Sequence, residues 1–201
     1  MNQKLILIGG GGHCESCIDV IESTGAYEIV GILDREDKIG SKVLGYPIIA
    51  DDNAIPDFIK KGYYFLITIG QIRTHEPRKK IYDFLSSENA LMAKVISPHA
   101  YVSKYAEVSE GTIIMHHALV NSGVKVGNNC IINTKALIEH GTVIDSHCHI
   151  STAAVINGDC IVNEGVFFGS NASCKEGVTI EKKSFIKAHS IFGRNLDGNK
   201  L

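Results

Sequence analysis

A run of glycines near the start of the chain could bind a phosphate. Gly10, Gly11 and Gly12 follow the apolar segment Leu-Ile-Leu-Ile at 5–8 and precede His13. Glycines between a strand and a helix leave backbone N–H groups free for an anion. The run departs from the dinucleotide fingerprint G-x-G-x-x-G, because Cys or Glu stands where the last glycine belongs.

Asp34 lies at the predicted end of the next strand, 24 residues beyond Gly10. A carboxylate there could accept hydrogen bonds from ribose hydroxyls or from a base N–H. The sequence therefore predicts a nucleotide or phosphate site beside the glycines. The alternative is a tight structural turn with a solvated aspartate.

The pair Cys14 and Cys17 forms a single C-x-x-C motif inside the predicted first helix. A zinc ribbon needs a second pair at matching spacing, and helix residues three apart can simply pack together. We predict that these thiols are structural.

Histidines are concentrated in the second half of the chain, where a general base could lie. Five of the nine fall within 34 residues: His116, His117, His140, His147 and His149. His140 lies in the segment "NTKALIEHGTVIDSHCHISTAAVINGD", residues 133–159. A histidine near a free backbone N–H could serve acyl transfer.

The second half also carries a repeat of six residues. Stepping by six from Ile96 to Phe192 gives seventeen positions, of which sixteen are Ile, Val or Phe; Cys174 is the exception. The residue four places later is usually small, and three cysteines (Cys130, Cys148 and Cys160) fall in that column. Such a period is typical of a triangular coil with one large inward residue per side.

Three sides give a coil of 18 residues, with coils stacked at about 4.8 Å. His140 then follows the inward Ile138 and points outward, with Gly158 directly above it and Asn157 above Glu139. The N–H of Gly158 is predicted to stabilise an oxyanion beside the histidine base.

Residues 1–94 alternate between strand and helix patterns. Strands are predicted at 4–8, 28–33, 47–49, 63–69 and 93–96, and helices at 13–24, 53–60 and 77–87. This alternation predicts an α/β Rossmann-like domain with a small parallel sheet, followed by an all-β parallel β-helix over 95–201.

Composition favours a small-molecule site. The 20 basic and 22 acidic residues are well mixed, which argues against nucleic acid or an anionic membrane as a partner. The N-terminus has no basic segment or long apolar stretch. We therefore expect a cytoplasmic protein with reduced cysteines.

The segments "GGGGH", "NTKALIEHGTVI" and "HISTAAVINGD" resemble hexapeptide-repeat sugar acetyltransferases, specifically the nucleotide-sugar N-acetyltransferase and sialic acid O-acetyltransferase family. The resemblance covers nearly the whole chain and implies a left-handed β-helix, a homotrimer and acetyl-CoA bound between two subunits, without a metal. It implies that His140 is the base and that Gly158 and His149 contact the thioester and acetyl oxygens.

The same resemblance implies that the glycine loop, His13, Asp34 and Arg35 hold the nucleotide-sugar. Two departures stand out. Many members carry an acid directly after the base, where this chain has Gly141, so Glu139 or another subunit is expected to orient the ring. The closing "RNLDGNKL", residues 194–201, lacks the Gly-x-Pro segment of the family.

These features favour N-acetylation of a nucleotide-linked amino-sugar for a bacterial surface glycan. The alternatives are O-acetylation of a sialic or related nonulosonic acid, a zinc hydratase on a β-helix trimer, and a non-catalytic binding protein. Trimerisation is expected because outward apolar residues need cover: Ile113, Leu119, Ile131 and Leu137.

Overall fold

The computed structural model describes residues 2–193 of the 201-residue chain. The closing segment 194–201, to which the Gly-x-Pro expectation applies, lies outside the described residues. The N-terminal domain has a sheet of six strands in the order β3-β4-β2-β1-β5-β6. The strands are β1 (Gln3–Ile8), β2 (Tyr27–Leu33), β3 (Lys42–Val43), β4 (Tyr46–Ala50), β5 (Tyr64–Ile67) and β6 (Leu91–Met92).

Helices connect these strands on both sides of the sheet. The helices are α1 (Gly12–Thr24), α2 (Ile55–Lys60) and α3 (Glu76–Ser87), with short 3₁₀ turns at Glu36–Lys38 and Asp52–Ala54. Gly25 ends α1 in the left-handed conformation, with φ of 63°. No helix among residues 2–193 is long and apolar enough to cross a membrane.

The sheet is mixed, so the prediction of a purely parallel sheet is wrong at one edge. Strand β3 runs antiparallel to β4. The two are joined by Leu44 and Gly45, both with positive φ, as a two-residue hairpin requires. A two-residue strand is too short to show an alternating pattern in the sequence.

The prediction of one strand at 93–96 is wrong in its first half: β6 ends at Met92, and the next strand, at Val95–Ile96, belongs to a different sheet. After β6 the N–H of Ala93 still donates to Phe65, but the N–H of Val95 donates to Thr112 in the second domain. The chain therefore passes from one sheet to the other within two residues.

Seventeen two-residue strands form three parallel sheets, which are the walls of a triangular β-helix. The first wall comprises β7 (Val95–Ile96), β10 (Ile113–Ile114), β13 (Ile131–Ile132), β16 (His149–Ile150), β19 (Phe167–Phe168) and β22 (Phe185–Ile186). The second wall comprises β8 (Tyr101–Val102), β11 (Leu119–Val120), β14 (Leu137–Ile138), β17 (Val155–Ile156), β20 (Ser173–Cys174) and β23 (Ile191–Phe192). The third wall comprises β9 (Glu107–Val108), β12 (Lys125–Val126), β15 (Val143–Ile144), β18 (Ile161–Val162) and β21 (Thr179–Ile180).

Strands pair with an offset of 18 residues; Ile114, for example, lies beside Ile132, and Ile132 beside Ile150. The residues of the six-residue column point inward and, together with the small column, fill one core. Cys130, Cys148, Cys160 and Cys174 are all buried in it, which confirms their predicted packing role. All six cysteines are free thiols.

From Gly111 to His189, each corner of the β-helix turns through a residue in the left-handed conformation. These residues recur every six positions, and glycine supplies only some of them. Among the others, Ala153 and Asp159 both have φ of 54°. Such a residue turns the chain from one wall to the next without an extended loop.

The N-terminal domain packs on the first wall. Ile113 and Ile131 are fully buried against Cys17 and Ile21 of α1, in one apolar cluster. The expectation that these two isoleucines need another subunit is therefore wrong, since helix α1 of the same chain covers them. Leu119 and Leu137, on the second wall, remain half-buried.

Candidate active site

A cavity of about 540 Å³ opens at the carboxyl ends of β1, β2 and β5. Gly11, Asp34 and Arg35 line it, as do Lys38 and the segment 51–53, which the sequence analysis did not single out. The carboxyl ends of parallel strands are the usual ligand site of such sheets. The cavity thus coincides with the predicted nucleotide site.

Close packing explains the first glycine of the loop. Gly9 has φ of 102°, and a Cβ there would overlap the Ile69 side chain. Around Gly11 and Gly12, by contrast, there is open space, and Gly12 begins α1 without a side-chain cap. The helix therefore presents uncapped N–H groups near the cavity, which suits an anion.

Asp34 holds the glycine loop in place through hydrogen bonds. Its Oδ2 accepts from the Gly10 N–H and from Lys38 Nζ, both at 2.8 Å, and its Oδ1 accepts from the Arg35 N–H at 2.7 Å. Partial burial opposes ionisation, but the hydrogen bonds from Lys38, Arg35 and Gly10 lower the pKa of the carboxyl group. Most of its acceptor capacity is already used within the chain.

His13 faces the β-helix at the exit of the loop. Its ring lies 6.4 Å from the ring of His149, and its Nε2 lies 3.4 Å from the Cys17 thiol. Burial, followed by the charges of Arg78 and His149, lowers the pKa of His13 to about 3. His13 is therefore neutral at pH 7.

The partners of His149 fix its tautomer. Nδ1 donates to the Gln71 carbonyl at 2.5 Å, and Nε2 accepts from Asn133 Nδ2 at 3.0 Å. Asn133 Oδ1 itself accepts from the Thr134 N–H, so its amide orientation is fixed as well. Burial lowers the pKa of His149 to about 4, so the ring is neutral with its Nε2 lone pair engaged.

Arg78 of α3 connects the two domains, a contact that the sequence analysis missed. The fully buried guanidinium donates to the carbonyls of Ile67 and Ile69 and to Asn129 Oδ1, at 2.6 to 2.7 Å. The Gln71 amide adds a bond to the His147 carbonyl. These bonds fix the end of β5, and hence the cavity, relative to the β-helix.

His140 lies where the coil arithmetic places it, at the corner between the second and third walls. Its imidazole covers Gly158: a Cβ added to that glycine would lie 2.6 Å from His140 Cε1. The side chain of His140 is 55% exposed. The Gly158 N–H donates to no acceptor within residues 2–193. A histidine and a free backbone donor are thus adjacent.

Glu139 and Asn157, the residues before His140 and Gly158, form hydrogen bonds with other parts of the chain. Glu139 Oε2 accepts from Asn121 Nδ2 at 2.7 Å and from the His140 backbone N–H at 3.3 Å. Asn157 Nδ2 donates to the Cys174 carbonyl at 2.6 Å. The carboxylate nearest the imidazole is Asp159, whose Oδ1 lies 3.9 Å from His140 Nδ1.

The corner that carries His140 is opposite the first wall, on which the N-terminal domain packs. Within one chain the structure therefore brings His13 and His149 together but separates both from His140. The glycine loop and His140 can share one site only if they come from different chains.

The cysteines of the opening motif are unsuited to thiol chemistry. Cys14 and Cys17 are both fully buried. Burial raises the pKa of Cys14 to about 11 and raises that of Cys17 further. Within the described part of the chain, no three His, Cys, Asp or Glu side chains are grouped to hold a metal ion.

The fold is that of hexapeptide-repeat sugar acetyltransferases: a small mixed α/β domain followed by a left-handed parallel β-helix. Residues 4–85 match the model of the PglD N-terminal domain family. The fold class predicted from the sequence is thereby confirmed, apart from the antiparallel edge strand. No curated protein sequence matches the chain.

Three solved structures illustrate the likeness. The acetyltransferase domain of PglB from Neisseria gonorrhoeae has a TM-score of 0.89 at 23% identity, with 98% of this chain and 94% of that chain covered, and was also solved with acetyl coenzyme A. A perosamine N-acetyltransferase variant from Caulobacter crescentus, in complex with CoA and GDP-perosamine, has a TM-score of 0.67 at 24% identity, covering 94% and 92%. WeeI from Acinetobacter baumannii has a TM-score of 0.72 at 16% identity, covering 96% and 95%. At these identities the likeness establishes the fold.

Proposed function

We propose that the protein is an acetyl-CoA-dependent N-acetyltransferase that acts on the amino group of a nucleotide-linked amino-sugar. The observation that carries the proposal is the His140 ring lying over Gly158, whose N–H has no acceptor among the described residues. One solved structure of the same fold contains acetyl coenzyme A, and another contains CoA with GDP-perosamine.

In this mechanism His140 takes a proton from the acceptor amine as its nitrogen forms a bond to the thioester carbonyl carbon. The Gly158 N–H stabilises the negative charge on the carbonyl oxygen. The C–S bond then breaks, and the CoA thiolate leaves with a proton from the imidazolium. The amine must be neutral to attack, so activity is expected to be greatest at mildly alkaline pH.

The nucleotide-sugar is assigned to the cavity beside the glycine loop. The uncapped start of α1 would hold the phosphates, and Arg35 and Lys38 add positive charge at the rim. His13, Asp34 and the glycines form the substrate side of the site. For His149, the contact with the acetyl group stays a prediction, because its Nε2 accepts a hydrogen bond within the chain.

The separation of the glycine loop from His140 supports a site shared between subunits of a homotrimer. A stripe of outward apolar residues on the second wall is available for the contact. It comprises Tyr101, Leu119, Leu137, Val155 and Ile191. A monomer at micromolar concentration in light scattering would count against the shared site.

The direct test is CoA release from acetyl-CoA with a panel of acceptors. With an amino-sugar nucleotide as acceptor, the enzyme should release CoA and form an amide product. An amide, unlike an ester, is not cleaved by hydroxylamine. His140→Asn should lower the rate about 10²- to 10⁴-fold, with the KM for acetyl-CoA little changed. Near-normal turnover of this variant would show that another residue is the base.

Asp34→Ala distinguishes the two acceptor classes. It should raise the KM for the amino-sugar nucleotide and leave the KM for acetyl-CoA unchanged, since the lost hydrogen bonds hold only the glycine loop on the nucleotide-sugar side of the site. If free sialic acid is instead the preferred acceptor, gives a hydroxylamine-sensitive ester and is unaffected by Asp34→Ala, O-acetylation replaces the proposal.

A further inference from the structure

We infer that Asp159 is the positioning residue for His140, supplied from the next coil of the β-helix. The inference rests on the proposed role of His140 as general base. Asp159 Oδ1 lies 3.9 Å from His140 Nδ1, and the Asp159 backbone N–H donates to the His140 carbonyl at 2.9 Å. The two residues are thus tied through the backbone as well as through charge.

Gly141 creates the space for this carboxylate. Gly141 has φ of 67°, and a Cβ at this position would overlap Asp159 Oδ1. The absence of a side chain directly after the base is therefore what admits an acid from the coil above. A side chain at position 141 would therefore compete with the Asp159 carboxylate for the space it occupies beside the ring.

The two stacked coils complement each other at neighbouring positions. The His140 side chain lies against Gly158 of the next coil, and the Asp159 side chain lies against Gly141 of the preceding coil, so each glycine accommodates a side chain of the other coil. Exchanging either glycine for a larger residue would disturb one of the two contacts.

Among residues 2–193, Asp159 is the acid whose side chain pairs with the ring. Glu139 is bound to Asn121 and to the His140 backbone N–H. Asp159 accepts no hydrogen bond within residues 2–193 and pairs there with His140 alone. Its carboxylate is therefore free to accept a hydrogen bond from a protonated Nδ1 of His140.

The chemical consequence concerns both ring nitrogens. An Nδ1–H directed at Asp159 leaves the lone pair on Nε2 to take the proton of the acceptor amine. The carboxylate then stabilises the imidazolium that forms. A separation of 3.9 Å exceeds hydrogen-bond length, so the contact is expected to shorten when both substrates are bound.

The test compares Asp159→Asn with the parent enzyme. The kcat should fall about 10- to 100-fold, the loss typical of partners that orient a functional histidine. The KM values for both substrates and the thermal midpoint should stay unchanged. Asp159→Glu should recover part of the rate, because it restores the charge. Asp145→Asn, an exposed corner acid of the same β-helix, serves as the matched control and should keep parental kcat.

A second test moves the carboxylate from position 159 to position 141 of the neighbouring coil. Gly141→Asp alone should be strongly impaired, since the new side chain meets Asp159. Combined with Asp159→Gly, the same change should recover at least tenfold over Asp159→Gly alone, because both positions have positive φ and the carboxylate has only changed coils.

The outcomes separate this inference from the proposed function. Parental kcat in Asp159→Asn, with His140→Asn inactive, would overturn the role of Asp159 and leave the base intact. A fall in kcat matched by a fall in thermal midpoint, without recovery in the double variant, would also overturn it. Absence of CoA release by the parent enzyme would overturn the proposed function itself.

Discussion

The imidazole of His140 rests on bare backbone because residue 158 has no side chain. Gly158→Ala would place a methyl group 2.6 Å from His140 Cε1, which is too close for van der Waals contact. Because the backbone is fixed at this corner, the imidazole would have to move. We expect kcat to fall about 10²-fold through displacement of the ring, while the KM for the nucleotide-sugar stays the same. Steady-state kinetics together with a thermal melt would check this. A variant with parental kcat would mean that the ring position is not critical.

Cys14 and Cys17 provide a second prediction at this scale. Since burial keeps both thiols protonated, the double change Cys14→Ala, Cys17→Ala should leave kcat within a few-fold of the parent. Loss of packing should lower the free energy of unfolding by about 1 kcal/mol for each residue. Denaturant unfolding and the CoA-release assay measure the two effects. A hundredfold loss of kcat at unchanged stability would contradict the structural interpretation.

Among single residues, those related by the 18-residue coil could be predicted from the sequence. The placement of Gly158 above His140 followed from counting alone, and the same count applied one residue later places Asp159 above Gly141. Arg78 could not be found in this way. Its partner Asn129 is 51 residues away, and the contact depends on how the two domains dock.

At the scale of elements, the corners of the β-helix depend on residues held at positive φ. Ala153 has φ of 54°, a conformation that costs a residue with a Cβ about 1 to 2 kcal/mol. Glycine avoids this cost but loses about 0.5 to 1 kcal/mol through the greater freedom of the unfolded chain. Ala153→Gly should therefore raise the free energy of unfolding by about 0.5 to 1 kcal/mol, measured with urea.

The neighbouring residue provides the control for that prediction. Ala154 is fully buried in the small inward column, outside the positive-φ positions. Ala154→Gly should destabilise the protein by about 1.5 kcal/mol, since it removes a packed methyl group and increases the entropy of the unfolded chain. Equal effects of the two changes would show that corner strain does not matter.

Element boundaries followed the strength of each sequence pattern. The six-residue period predicted all seventeen β-helix strands because each strand buries one residue in a continuous core. Only the second half of the strand expected at 93–96 is a strand, because a local pattern cannot show that the chain changes sheets at this point. Strand β3 was not predicted because its two residues are too few to show an alternating pattern.

For the molecule as a whole, the domain junction should be sensitive to acid. Burial lowers the pKa of His149 to about 4 from an ordinary value of 6.5, so the unfolded chain binds more protons between these pH values. The free energy of unfolding must then fall as the pH is lowered through this window and recover above it. For His149 the loss between pH 7 and pH 5 is about 2 kcal/mol.

His149→Asn should remove that part of the pH dependence, while retaining a donor for the Gln71 carbonyl. Urea unfolding at pH 7 and pH 5 would measure it. His189→Asn, which alters an exposed corner histidine, should leave the slope unchanged. An identical slope in His149→Asn and the parent would mean that the pKa of His149 is the same in the folded and the unfolded chain.

The position of His140 opposite the docked domain has a consequence for mixtures of defective chains. Gly11→Asp would place a negative charge in open space beside the predicted phosphate site, and His140→Asn removes the base, so each variant alone should be inactive. If every site takes its base from one chain and its glycine loop from another, random co-assembly of equal amounts should restore intact sites at about one quarter of the positions. Two inactive alleles expressed together would then complement each other within one oligomer. No recovery on co-expression would mean that each chain works alone.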